Sequence, residues 1–271
     1  MKLPSEVSPV LDYEKVTKLL IGGLHGTSKT HLTSTLPNSL LVDLEEGHRS
    51  YFGGMVLNVK GKARLEGLSL SQAFRETINL IQEANKESFS KTSKKAYDFI
   101  TFDNITQLQE IAKVKAALDY NSSHVGKGQI KGGSDPVVDV TTEVGQLGWM
   151  YFMNAYRLIF DMCCGLAEEC TIFLAHTTQS SLAKKQEQIV INDLQITGKA
   201  KAYTLLTVDD AAVLSIENNK ATLDFTANAK SPTKTRSKHL RNKEIVISEL
   251  QDDGTLITHW EEVFPYYNFK K

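Results

Sequence analysis

The stretch "KLLIGGLHGTSKTHLTSTLP" over 18–37 limits the possible folds of this chain more than any other. An apolar run ends in two glycines, a loop of small residues carries Lys29 and Thr30, and Leu32 and Leu36 lie one helical turn apart before Pro37. That order predicts a buried strand, a tight turn and a helix start. A second apolar run, "SLLVDLEEG" over 39–47, follows directly. Strand, loop, helix and strand in close succession make a βαβ unit, which requires a parallel sheet with helical cover. The loop is one letter away from the phosphate-binding pattern of Gly, four residues, Gly-Lys-Ser/Thr. Gly23 opens it, and Ser28 fills the second glycine position.

Downstream, residues 60–96 read as helical, and "YDFITFDN" (97–104) reads as a strand that ends at Asp103. Leu108, Ile111, Val114 and Leu118 keep helical spacing. Residues 121–136 are rich in glycine, serine and lysine without periodicity, which predicts a mobile loop. "GQLGWMYFMNAYRLIFDMCCGLAEE" predicts an apolar core helix, "CTIFLAHTTQ" (170–179) a buried strand, and 180–203 a mostly polar connection. "AAVLSIENNKATLDFTA" (211–227) alternates around Asn218-Asn219, the signature of a β-hairpin. "EIVISEL" and "LITHWEEVF" supply late strands. With no repeat and no linker, the expectation is one α/β domain over 1–271, its core about 16–217 and a β-rich, basic extension about 210–271.

The formal net charge is -1, so a polyanion would have to be met by a local basic patch. Cys163, Cys164 and Cys170 form an odd, closely spaced set that matches no zinc pattern, and are expected to be reduced core residues. The start lacks a signal-peptide core and no apolar run reaches membrane-spanning length, so a soluble, cytoplasmic protein is expected.

A phosphate loop needs backbone N–H groups aimed at an anion, a helix N-terminus, a lysine and a hydroxyl for Mg²⁺. Gly23, Leu24, His25, Gly26, Thr27, Ser28, Lys29, Thr30 and His31 are the expected nucleotide contacts. Lys29 would reach the β- and γ-phosphates, and Thr30 would hold the metal. Ser28 keeps the N–H but adds a side chain where glycine allows close approach. Asp103, at the end of a separate strand, suits the metal acid. Glu45 follows the strand "LLVDL" and is the expected base that polarises water, with Glu46 as the alternative. Each also has a plainer reading, as a glycine turn or a solvated acidic turn.

The order of "KLLIGGLHGTSKTHLTSTLP", "SLLVDLEEG", "YDFITFDNITQLQ", "TIFLAHT" and "ITGKAKAY…VDDAAVL…TRSKHLRNK" resembles phage-encoded RecA-like ATPases of the single-strand annealing group, which are AAA-type P-loop domains. The resemblance covers about 16–243. It implies a mainly parallel sheet flanked by helices, with the strand "TIFLA" between the loop strand and the Asp103 strand. It further implies that His176 senses the γ-phosphate, that ATP and Mg²⁺ bind, and that the chain assembles as a ring or filament. Its partners would be single-stranded DNA and a single-strand-binding protein, in the cytoplasm of a bacterial host.

In such proteins, loops after the metal-acid strand and the sensor strand line the DNA channel. Here they would be 121–136, with Lys127 and Lys131, and 179–198, with Lys184 and Lys185. The run 230–243 carries Lys230, Lys234, Arg236, Lys238, Arg241 and Lys243 and no acid, so it is expected to repel itself unless an anion visits. It would contact DNA or lend Arg236 to a neighbour's nucleotide; Lys199 and Lys201 are further candidates for such a finger. Two functions from different classes follow. One is a DNA-dependent ATPase; the other is a nucleotide-binding interaction module with little turnover. A small-molecule kinase is a third, weaker reading, since no arginine-rich lid follows the sheet.

Overall fold

The computed structural model describes residues 15–47, 54–127, 139–184, 187–227 and 231–269, with 180–184 and 187–192 described by backbone alone. Its strands are β1 Lys18–Gly23, β2 Ser39–Asp43, β3 Met55–Asn58, β4 Phe99–Asp103, β5 Cys170–Lys184, β6 Glu187–Leu194, β7 Asp210–Glu217, β8 Lys220–Asp224, β9 Lys234–Thr235, β10 Glu244–Leu250 and β11 Leu256–Thr258. The α-helices are α1 Lys29–Ser34, α2 Val59–Glu66, α3 Leu70–Thr92, α4 Ile105–Ser122, α5 Val140–Glu143, α6 Gln146–Cys163 and α7 Gly198–Thr207.

β7, β1, β5, β4, β2 and β3 lie side by side and parallel. β8, β10 and β11 extend that sheet antiparallel beyond β7. β5 sits between β1 and β4, as the resemblance implies. Strand residues alternate between two cores, following the two-residue period of a pleated strand. Leu20, Ile100, Phe102 and Phe173 face one side with the helical residues Leu108, Tyr156 and Phe160. Leu19, Ile21, Phe99, Ile172 and Leu174 face the other, with Leu32 of α1 and Trp260 and Phe264 near the C-terminus. A parallel sheet buried on both faces and flanked by helices is thus the observed α/β architecture.

The hairpin between β7 and β8 turns at Asn218 and Asn219 with φ 49 and φ 63, the positive pair that a two-residue loop needs. Three expectations change. The helical stretch from 60 is preceded by β3, an edge strand too short to stand out, and Asn58 caps α2 by accepting from the Gly61 N–H at 2.7 Å. The connection expected to be polar over 180–203 is instead the β5–β6 hairpin followed by α7. Its β-branched Ile189, Val190 and Ile191 favour a strand that the surrounding polar residues mask. α6 is not wholly core, because Trp149, Met150 and Leu158 are exposed. All three cysteines are free thiols, Cys163 and Cys170 fully buried. Among the described residues no helix is long and apolar enough to cross a membrane.

Candidate nucleotide site

β1 ends at Gly23 in register with His176 of β5, and β4 ends one strand further on at Asp103. A Cβ on Gly23 would stand 2.8 Å from Thr27 Oγ1 and 3.1 Å from the Leu214 carbonyl oxygen, so glycine is required where the loop folds back. Ser28, at the start of α1, takes φ 50 and ψ 30. This left-handed conformation suits glycine and strains serine. The off-consensus residue therefore keeps the backbone shape that the glycine pattern encodes.

Inside the loop, Lys29 Nζ donates to the carbonyls of Gly23 and Leu24, both at 2.9 Å, and to Thr27 Oγ1 at 3.3 Å. Burial pulls its ammonium down to about 8, against the upward pull of Asp103 and Glu45. Thr30 Oγ1 donates to Asp103 Oδ2 at 2.5 Å. Burial pushes the Asp103 carboxyl up to about 6; the Thr30 hydroxyl opposes this, while Glu45 and Asp43 add to it. At neutral pH the site holds a lysine and several carboxylates with little water, an arrangement that suits a charged ligand.

Asp43, fully buried and in register with Asp103, organises the turn after β2. Its Oδ1 accepts the N–H groups of Glu45 at 2.9 Å, Glu46 at 2.7 Å and Gly47 at 3.2 Å. That turn sends the two glutamates in different directions. Glu45 Oε2 meets His176 Nε2 at 3.2 Å, and this hydrogen bond holds its carboxyl below the usual value. Glu46, at φ 67, points away and pairs with Arg64 of α2. The His176 ring stacks on His25 of the loop, centroids 3.7 Å apart and planes 19° apart. Gly23 to Thr30, Glu45, Asp103 and His176 are thus gathered at one edge of the sheet.

A profile of the AAA domain family matches residues 15–237, which takes in every one of these groups. The chain belongs to that family. AAA domains are nucleotide-binding P-loop ATPase domains, and the donors fit the expected ligand. The Thr30 hydroxyl and the Asp103 carboxylate are hard oxygen donors of the kind Mg²⁺ takes. Gly26 at φ 81 leaves the loop open, with nothing near a would-be Cβ. Solved structures similar to this AAA domain include the RadB recombinase, at 12% identity over 89% of this chain and 90% of that one, with a TM-score of 0.33. The ATPase domain of a helicase is similar at 11% identity over 91% of this chain and 86% of that one, with a TM-score of 0.35. No curated protein sequence matches the chain at significant similarity.

The other candidate residues lie elsewhere. Lys201 of α7 is paired with Asp193, at 2.8 and 2.7 Å, and Lys199 is exposed. Lys234 and Arg236 sit at the opposite edge of the sheet. There Lys234 Nζ donates to the carbonyls of Leu205 (2.6 Å), Leu206 (3.1 Å) and Val208 (2.6 Å) at the end of α7. Arg236 Nη2 donates to Leu206 O at 2.8 Å, and its Nη1 lies 3.6 Å from Asp209. The expectation that this run has nothing to neutralise it is therefore corrected: distant parts of the chain supply the carbonyls and the acid. Lys238 and Arg241 are exposed, with no side-chain partner among the described residues. The Lys184 side chain, Lys185, Lys131 and Lys230 lie outside the described residues.

Sequence reasoning missed three features. Asp43 reads as an ordinary strand residue until its register with Asp103 is seen. His25 gains its meaning only from contact with His176. Finally, a cavity of about 210 Å³ beside Thr27, Ser28 and Leu32 is walled by Ile216, Ala221 and Leu256, residues far along the chain.

Proposed function

We propose that this AAA domain binds ATP with Mg²⁺ and hydrolyses it, and that it works on single-stranded DNA in phage recombination or replication. The observation that carries the nucleotide reading is the convergence of the Lys29 loop, the Thr30–Asp103 pair and the Glu45–His176 pair at one sheet edge. Bound Mg²⁺ would supply charge stabilisation at the phosphates. Lys29 would exchange the carbonyls of Gly23 and Leu24 for the β- and γ-phosphates. Thr30 and Asp103 would hold the metal. Glu45, kept ionised by His176, would orient the attacking water and accept its proton, while His176 reports phosphate occupancy to β5. The cavity beside Thr27 is apolar enough to seat a base. The DNA reading is supported by the order of the sequence motifs and by the β5–β6 hairpin, which leaves the sheet just after His176. A ring or filament of copies, a single-strand-binding partner and a cytoplasmic setting belong to the same reading.

ATP hydrolysis with and without single-stranded DNA, at low and moderate salt, tests it. Turnover that rises with DNA and vanishes in Lys29→Ala is the expected result. Nucleotide affinity and turnover unchanged in Lys29→Ala would end the P-loop reading. Binding without turnover would put the nucleotide-dependent interaction module in its place.

A further inference from the structure

α6 leaves an unusual face uncovered. Its residues Trp149, Met150, Met153, Asn154 and Arg157 recur at helical spacing, so they share one side of the helix. With Lys199 of α7 they line a groove of about 790 Å³. Trp149 is 37% exposed and Met150 51% exposed, while Arg157 and Lys199 are both at the surface. Trp149 is braced at its edge by Phe152, ring centroids 5.7 Å apart, and the Arg157 guanidinium lies 5.4 Å from the centre of the Tyr203 ring. No carboxylate lines the groove; its two charged side chains are both cations.

The groove opens near the phosphate-loop edge of the sheet. α7 begins just after β6, and Gln195 between them donates its N–H to the His176 carbonyl at 2.9 Å. A braced indole face, a thioether beside it and two cations with no acid make a surface complementary to an unpaired base and its flanking phosphates. A protein partner would find anchors there too, but the absence of any acid, in a chain whose net charge is -1, favours a polyanion. We propose that the α6–α7 groove is a stacking site for single-stranded nucleic acid, with Trp149 under a base and Arg157 and Lys199 on phosphates. This rests on the proposed action on single strands and adds to it a place and a mode of contact.

The test is direct because the chain has two tryptophans and the other, Trp260, is 1% exposed. Full-length protein is titrated with oligo-dT and followed both by tryptophan fluorescence and by anisotropy of a labelled strand. Quenching of the Trp149 emission is expected. Trp149→Ala should bind roughly tenfold more weakly, while Trp149→Phe keeps most of the affinity and loses the quenching. Arg157→Ala with Lys199→Ala should flatten the slope of log affinity against log salt by about 1.4. Far-UV circular dichroism checks that each variant is folded. Binding by wild type with no quenching, and with affinity and salt slope unchanged in the variants, would overturn the groove and leave the single-strand reading standing. Failure of wild type to bind oligo-dT at all would overturn that reading and the groove with it. Loss of assembly in Trp149→Ala, with DNA affinity intact, would show the face to be a contact between protein chains and would also overturn the proposal.

Discussion

The two ends of the central strands treat buried charge in opposite ways. At the end where β1 starts, Asp210 accepts from Ser237 Oγ at 2.6 Å, Ser237 N at 3.1 Å and Arg236 N at 2.9 Å. Its neighbour Asp209 accepts from Thr17 and Lys18 and faces Arg236. Burial still pushes the Asp210 carboxyl upward, but three donors oppose it. At the end where β1 finishes, Asp103 has one side-chain donor in Thr30, with Asp43 and Glu45 adding negative charge, and Lys29 is held by carbonyls. One end is internally satisfied. The other is arranged so that a ligand improves it, which is the difference between holding a fold and doing chemistry.

The largest contrast should come from two adjacent residues. Glu45→Gln should keep nucleotide binding and cost about 10²–10⁴-fold in turnover, the usual loss of a general base. Glu46→Gln should hydrolyse ATP like wild type, since its carboxylate is engaged with Arg64 on the far side of the turn. Steady-state hydrolysis of the two variants decides it. If the two effects were exchanged, Glu46 and not Glu45 would be the base.

The next contrast is one of sign. Asp210→Ala leaves the Ser237 hydroxyl and two N–H groups without their acceptor and should destabilise by about 2–3 kcal/mol. Asp103→Asn removes a buried charge and should raise the stability of the nucleotide-free protein at pH 7.5 by about 1–3 kcal/mol while abolishing Mg²⁺-dependent turnover. The pH dependence follows from the carboxyl at about 6, above its unfolded value. Its contribution is fully present below roughly pH 4 and is lost as pH rises through about 6. Thermal melts of wild type should therefore weaken across that window, and those of Asp103→Asn less so. Equal and parallel melts for both variants would remove the distinction between the two ends.

Much of the phosphate-loop end was legible because its residues are local. Gly23, Lys29 and Thr30 lie on one turn, and strand-ending acids can be counted from apolar runs. The opposite end was illegible for the same reason reversed. Lys234 and Arg236 look unpaired in sequence because their partners, the α7 carbonyls and Asp209, lie about thirty residues upstream. Register hid Asp43, whose role depends on facing Asp103 across two strands. Polar composition hid the β5–β6 hairpin, since a strand exposed on both faces lacks the alternation that betrays a half-buried one.

A smaller effect separates the cations of the basic run. Replacing Lys234 and Arg236 together should cost about 1–2 kcal/mol of stability, because both satisfy the last carbonyls of α7 and oppose its dipole. The salt dependence of DNA binding should change little. Replacing Lys238 and Arg241 should do the reverse if that surface meets phosphates, flattening the slope by about 0.7 for each phosphate no longer neutralised. Denaturant melts and salt titrations of the two double variants distinguish structural cations from free ones. A slope altered by the first pair alone would place the polyanion on Lys234 and Arg236 instead.

The smallest effect concerns the letter that departs from the loop pattern. Ser28 holds φ 50, a conformation that costs a non-glycine residue about 1–2 kcal/mol, and glycine would relieve it. Glycine also enlarges the freedom of the unfolded chain, which takes back about 0.5–1 kcal/mol. Ser28→Gly should thus gain at most about 1 kcal/mol, a rise of about 2–4 °C in Tm for a chain of this size. Nucleotide affinity should be equal or better, since the N–H that would meet the phosphate stays in place. Ser28→Ala is the control, because it keeps the left-handed strain and removes only the hydroxyl. If Gly gains and Ala does not, the backbone explains the position. If both lose nucleotide affinity, the serine hydroxyl touches the ligand, and this sheet edge has left one more group waiting for its partner.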